Sequence, residues 1–271
     1  MLRRYPLLIA LLVLGYAFLY LPIISLIVYS FNESRLVTVW GGFSTKWYGE
    51  LFNNGPLLKA AWLSVKIAAM NATAAVVLGT LAAFALVRFR HRRGHGSLGV
   101  MSAAPLVMPE VIVGLSLLLL FVAMEDLLGW PKGRGQTTIL IAHITFSMAY
   151  VTVIVQSRLS HMDKSLEEAA LDLGARPLNV FFTITLPLIV PALGAGWLLA
   201  FTLSMDDLVI ASFVSGPGAT TLPMVVYSSV RLGVNPQINA LATIIISVVA
   251  LAVLIASVSM YRQELKNQRK G

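Results

Sequence analysis

Two adjacent carboxylates, Asp206 and Asp207, stand inside the apolar run LLAFTLSMDDLVIASF, residues 198–213. A charged carboxylate at the middle of a bilayer costs roughly 2.5–3.5 kcal/mol on the insertion scale, so such groups face a cavity or a partner rather than lipid. A third acid, Glu110, follows Pro105 and Pro109 in another apolar run. Acids so placed can accept cations, hold a hydrogen-bond network between helices, or cap helices broken beside them. Counting about 1.5 Å per residue from Pro191 puts Asp206 roughly 22 Å along its helix, in the outer half, and Glu110 about 18 Å from the inner end of its own. At about 100° per residue Asp207 returns to within about 20° of Gly196 and Ala200, while Asp206 lies about 100° further round. Ala192, Gly196, Ala200 and Ser204 recur every four residues as a small-residue ridge suited to close helix packing. One aspartate is therefore expected at a helix interface and the other at its edge.

The elements that position these acids follow from composition. With 58% hydrophobic and 12% charged residues, the chain lies far below the roughly 25% charged residues of soluble proteins. Apolar stretches of about 20 residues, long enough to cross a hydrocarbon core, occur six times, at 7–31, 61–87, 98–122, 137–157, 188–213 and 239–261. The fold expected is an all-α polytopic membrane domain over 1–271, with no connecting segment large enough for a separate soluble domain. The first span has no small-x-small cleavage pattern and reads as a retained helix rather than a signal peptide. With no cysteine in the chain, disulfides and thiolate metal sites are excluded.

The net charge of +8 is an orientation signal rather than a nucleic-acid footprint. An inner N-terminus gathers Arg3, Arg4, Arg88, Arg90, Arg92, Arg93, Arg158, Lys164, Arg176, Arg262, Lys266, Arg269 and Lys270 on the inner side, thirteen of the twenty basic residues. The positive-inside rule then places both termini in the cytoplasm. The outer segment 32–60, with Trp40, Trp47, Tyr48 and Gly55-Pro56, suits the membrane surface. Gly94-x-Gly96-x-x-Gly99 matches a dinucleotide fingerprint only by letter, because no strand precedes it. Pro105 and Pro109 should break or kink the third span. Asn71 and His143 suit hydrogen bonds between spans, Lys66 can snorkel outward, and Trp197 and Tyr227 could offer π faces to an amine.

The inner connection 158–187 carries the most specific pattern. Ser165-x-x-Glu168 has the form of a capping box, and Leu166, Ala169, Ala170 and Leu173 follow at helical spacing. Gly174 suits the helix C-terminus, and Pro177 can open a second short helix. Together they predict a cytoplasmic knob. Its residues read Glu168-Ala169-Ala170, three residues, Gly174, nine residues, then Ile184-x-Leu186-Pro187. This resembles the E-A-A-x3-G-x9-I-x-L-P loop of the membrane subunits of type I ATP-binding-cassette importers. The stretches 30–51, 105–121 and 204–243 look like the second permease subunit of the putrescine and spermidine importers in that family.

The resemblance implies a permease core over 61–261, with the first span, 7–31, wrapped outside it. Residues 163–187 would be the coupling loop, in which Glu168, Ala169, Ala170 and Gly174 dock an ATPase. It further implies a second, different permease chain, an ATPase dimer and a periplasmic polyamine-binding protein, assembled in the bacterial inner membrane and working by alternating access. ATP and Mg would be handled by the partners, since no G-x-x-x-x-G-K-[ST] occurs here. A polyamine is an apolar chain with a cation at each end, so Asp206, Asp207 and Glu110 become candidate cation stations, with Trp197 and Tyr227 as minor ones. An importer for another small solute, an aspartyl-type intramembrane enzyme and a simple channel are the alternatives. Adjacent aspartates on one helix diverge by about 100°, which disfavours a catalytic dyad, and a channel leaves the knob without a purpose.

Overall fold

A computed structural model describes residues 6–36, 39–89, 92–232 and 235–268. Arg3, Arg4, Arg90, Arg269 and Lys270, assigned above to the inner side, lie outside the described residues, as do the side chains of Arg262 and Lys266. The chain is helical, in the order α1 (Pro6–Tyr29), α2 (Lys46–Asn53), α3 (Gly55–Arg88), α4 (His95–Val107), α5 (Glu110–Leu128), α6 (Gln136–Ser160), α7 (Ser165–Asp172), α8 (Pro177–Val180), a π-helical turn (Phe181–Thr185), α9 (Leu186–Asp206), α10 (Val209–Val214), α11 (Leu222–Leu232) and α12 (Pro236–Gln268). Among the described residues, five stretches are long and apolar enough to cross a membrane: Leu7–Tyr29, Gly55–Arg88, Glu110–Leu128, Gln136–Ser160 and Pro177–Asp206. The sixth expected span falls within α12, whose apolar described part is Pro236–Leu251.

Two of the expected spans are not single helices. The third, 98–122, is divided between α4 and α5. Pro105 is accommodated inside α4, two residues before that helix ends, whereas Met108 is extended (φ −79°, ψ 136°) and Pro109 opens α5. The residue before a proline is forced out of the helical region, and the proline itself offers no N–H, so the break falls at Met108-Pro109. The fifth, 188–213, stops at Asp206; Asp207 is extended (ψ 121°) and α10 begins two residues later.

Contacts group the chain into two compact units, Lys59–Val225 and Met1–Leu58 with Val226–Gly271. In the first, α6 is the central helix, packing on α4, α5, α9 and α10. Val151 of α6 sits between two glycines: a Cβ on Gly79 of α3 would lie 2.9 Å from Val151 Cβ, and one on Gly196 of α9 would lie 3.3 Å from Val151 Cγ1. Gly196, Ala200 and Ser204 are buried, so the small-residue ridge is a packing face. Asn71 Nδ2 completes this junction by donating to Ser147 Oγ at 3.0 Å and to Ala200 O at 2.9 Å. It is the bond between helices expected of it. Gly79→Val is predicted to lower stability by about 1–3 kcal/mol, the usual range for overpacking. The check is the thermal unfolding midpoint in detergent against the parent chain.

In the second unit α12 packs on α1 and α2, and none of the apolar residues of α1 from Leu7 to Tyr29 is buried. Asn32 organises the segment before α2. Its Oδ1 accepts the N–H groups of Ser34 (3.2 Å) and Gly41 (2.8 Å), its Nδ2 donates to Val39 O (2.8 Å), and its own carbonyl accepts the Trp47 indole N–H at 2.6 Å. Gln237 ties α12 to α2 by accepting from Asn54 Nδ2 at 2.6 Å and donating to Glu50 Oε2 at 3.1 Å.

Candidate functional site

The two aspartates have separate surroundings. Asp207 turns inward, where Oδ1 accepts the Ile210 N–H at 3.2 Å and Oδ2 accepts the Ala211 N–H at 2.7 Å, satisfying the first amides of α10. The same Oδ2 lies 3.1 Å from His143 Nε2, and His143 Nδ1 lies 2.7 Å from Ser204 Oγ. The His143 and Asp207 side chains are only 2% and 8% exposed. A neutral imidazole with its proton on Nε2 satisfies both contacts: the Ser204 hydroxyl donates to Nδ1 and Nε2–H donates to the carboxylate. Asp207 thus closes α9, starts α10 and holds α6. Asp206, the last residue of α9, is exposed. Among the described residues it makes no ion pair, and neither does Glu110.

Glu110 is the exposed first residue of α5, where the positive end of the helix dipole favours a carboxylate. One turn on, Gly114 is buried against α10: a Cβ there would lie 3.3 Å from Ile210 Cα and 2.8 Å from Phe213 Cδ2. The face of α5 that carries Glu110 is therefore the face packed on the helix that Asp207 starts. Trp197 is engaged elsewhere, donating its indole N–H to Thr73 Oγ1 at 3.2 Å and stacking on Phe201 with ring centroids 5.3 Å apart. Tyr227 belongs to the other compact unit, and the Arg231 guanidinium stands 5.1 Å from its ring centroid.

The expected knob is formed by α7, α8 and the π-helical turn. No residue of α7 is buried, and Leu166, Leu171, Leu173, Leu178 and Phe182 are exposed, Leu173 by 89%. Glu168 and Ala169 are exposed too, and Ala170 is half-buried. The helix ends in a Schellman motif: Gly174 has φ +84° and donates to Leu171 O at 2.9 Å, while Ala175 donates to Ala170 O at 3.0 Å. Pro177 opens α8, as expected.

The expected capping box is absent. Lys164 occupies the N-cap, and Ser165, already helical, donates its N–H to Asp163 Oδ1 at 2.9 Å. The backbone N–H of Ser165 first, and its side chain second, hold the Asp163 carboxyl below the usual range. With that acceptor already present at the first turn, Glu168 is left facing outward.

Sequence reasoning missed the residue that ties the knob down. Glu167, one position before the motif, forms an ion pair through both carboxylate oxygens with Arg88 at the end of α3. Its Oε1 also accepts the Thr185 hydroxyl at 2.6 Å. The only sequence signal was that Arg88 and the loop both fall on the basic side of the chain.

The fold is that of a multi-pass helical membrane protein that presents a short, exposed, glycine-terminated helix between two spans. The chain belongs to the family described as the binding-protein-dependent transport system inner membrane component, which matches residues 75–267, and is accordingly a transport component rather than an enzyme. It is 60% identical over 266 residues to the putrescine transport system permease protein PotI of Escherichia coli (strain K12), covering 98% of this chain and 95% of that one. It is 46% identical over 251 residues to the spermidine/putrescine transport system permease protein PotC of the same strain, covering 93% and 92%. A chain of a bacterial ABC transporter involved in the import of the acidic polysaccharide alginate shares the fold, with TM-score 0.71 at 19% identity over 96% of each chain. A chain of the MetNI methionine ABC transporter does so with TM-score 0.61 at 14% identity, covering 76% of this chain and 94% of that one.

Proposed function

We propose that this chain is a permease subunit of an ATP-driven importer that moves polyamines, putrescine or spermidine, into the bacterial cytoplasm by alternating access. The observation that carries the substrate class is the end-to-end identity of 60% with a putrescine permease. In this reading α7 faces the cytoplasm of the inner membrane and both termini lie on the same side. Glu168 offers a carboxylate to a basic groove of an ATPase subunit, Ala169 and Ala170 allow close approach, and Gly174 sets the turn. The partners are an ATPase dimer that uses ATP and Mg, a second permease chain of different sequence, and a periplasmic polyamine-binding protein. ATP binding closes the ATPase pair and carries the knob with it, opening the path outward, and hydrolysis resets it.

Asp206 and Glu110 serve as cation stations for the two ends of a diamine. What supports this is that both are exposed acids at helix breaks, among residues that are otherwise apolar. Asp207 supports the path by fixing the break. The test is ATP hydrolysis by the reconstituted complex, stimulated by binding protein loaded with putrescine, with spermidine, or with no amine. Stimulation by the amine-loaded forms is expected; equal rates with and without amine overturn the substrate reading. Asp206→Asn and Glu110→Gln should each cut putrescine uptake by about tenfold, the scale of one lost charge-assisted contact, with the complex still assembled.

A further inference from the structure

Exposed on nearly every side, α7 needs something to attach it to the membrane helices. None of its side chains is buried, so apolar packing cannot make it follow them as a rigid lever. The attachment is polar and centres on one carboxylate. Glu167 is 14% exposed, in contrast to Leu166 and Glu168 on either side. Its two oxygens face the guanidinium of Arg88, the last residue of α3. The buried hydroxyl of Thr185, which closes the π-helical turn leading into α9, donates to Oε1 at 2.6 Å.

The arginine is itself held. Its guanidinium stands 5.6 Å from the Phe84 ring centroid one turn earlier, and Phe84 meets Phe181, the first residue of the π-helical turn, edge to face at 5.7 Å. The end of α3, far away in sequence, and the π-helical turn leading into α9 thus both meet Glu167. One guanidinium nitrogen, Nη2, faces both carboxylate oxygens, a charge-assisted contact stronger than a neutral hydrogen bond.

We infer that Arg88, Glu167 and Thr185 form a mechanical clasp that makes α3, α7 and α9 move as one body, so that a push on the exposed face of α7 becomes a displacement of two membrane helices. Glu167 and Arg88 are positioning residues in this role, distinct from the outward-facing Glu168, which meets the partner. The inference rests on the coupling reading above. It adds that α7 stays fastened to α3 throughout the cycle, and that slack arises when the carboxylate or the guanidinium is lost even though docking persists.

The experiment uses the assembled transporter in proteoliposomes and reads putrescine imported per ATP hydrolysed, alongside co-purification of the ATPase subunits. Glu167→Gln and Arg88→Gln should lower the imported amount per ATP about tenfold, the size of an ordinary coupling free energy between sites, with the ATPase still bound. The reversed pair R88E/E167R should regain most of it. Because the chain has no cysteine of its own, R88C/E167C can be bridged at one place with a reducible bis-thiosulfonate of side-chain length. Bridging should restore import per ATP, and dithiothreitol should abolish it again in the same vesicles.

Unchanged import per ATP in both Gln variants, or arrest of transport on bridging, would overturn the clasp. If the Gln variants fail to reach the membrane, Glu167→Asp keeps the charge but draws the carboxylate back by one methylene and carries the same readout, with unchanged import per ATP again overturning the clasp. Should Glu168→Lys and Gly174→Val also leave ATPase association and import untouched, the coupling reading itself fails; if those two uncouple while Glu167→Gln does not, only the clasp does.

Discussion

Replacing Asp207 with Ala is expected to destroy the assembled protein, while Asp206→Asn leaves it folded. The Asp207 carboxylate accepts from the Ile210 and Ala211 amides and faces His143 Nε2, which is itself buried and held by Ser204. Alanine strands two amides and an imidazole N–H at once, and each buried donor left unsatisfied costs about 1–3 kcal/mol. Asn retains one acceptor oxygen for the Ile210 amide and places its NH2 opposite the ring, leaving the Ala211 N–H without its acceptor. His143 can then present an unprotonated Nε2 and donate from Nδ1 to Ser204, so Asp207→Asn should lose less than half as much. Asp206 is exposed and outside any ion pair among the described residues, so its Asn variant should stay within about 0.5 kcal/mol of the parent. Thermal unfolding in detergent, with the amount of chain recovered from membranes, distinguishes the three. Equal midpoints for Asp207→Ala and Asp206→Asn would show that Asp207 does not hold the break.

How far the sequence reveals this arrangement depends on how local each feature is. The small-residue ridge on α9, the glycine that ends α7 and the proline that opens α8 are set by neighbours within a few residues, and each appears where its spacing requires. The break in the third span was expected, but two prolines four residues apart offer the same chemistry for it. Pro105 is carried inside α4, whereas Pro109 stands just before α5, and nothing in the neighbouring residues separates the two. Asp207 and His143 are 64 positions apart, and Arg88 and Glu167 79; nothing local pairs them. A helical wheel placed Asp207 on the packed side but could not show that the helix would stop there, because the stop depends on an acceptor group meeting the amides of the next helix. The failed capping box has a similar cause: Asp163 competes for the role that Ser165 was expected to fill.

A valine at position 174 should uncouple the transporter, with import falling more than tenfold while ATP hydrolysis no longer responds to loaded binding protein. The reason is backbone conformation rather than space. Gly174 has φ +84°, and a Cβ built there meets nothing within 4 Å. In the left-handed region a side chain costs roughly 1–2 kcal/mol, and a β-branched one sits at the high end, whereas Asn is tolerated. The two Schellman bonds, Gly174 N–H to Leu171 O and Ala175 N–H to Ala170 O, then have to break, and they set the angle between α7 and α8. Because α7 buries none of its residues, no core resists that change, and a cost near 1.4 kcal/mol is already a tenfold shift in population. The distortion therefore stays in the knob, leaving the membrane helices folded and the chain inserted. Gly174→Asn should keep import within about threefold of the parent, since it can adopt the same φ. Uptake and stimulated ATP hydrolysis measured side by side for the Val and Asn variants decide it: two variants that behave alike would mean that the turn at 174 has no part in transmitting the stroke.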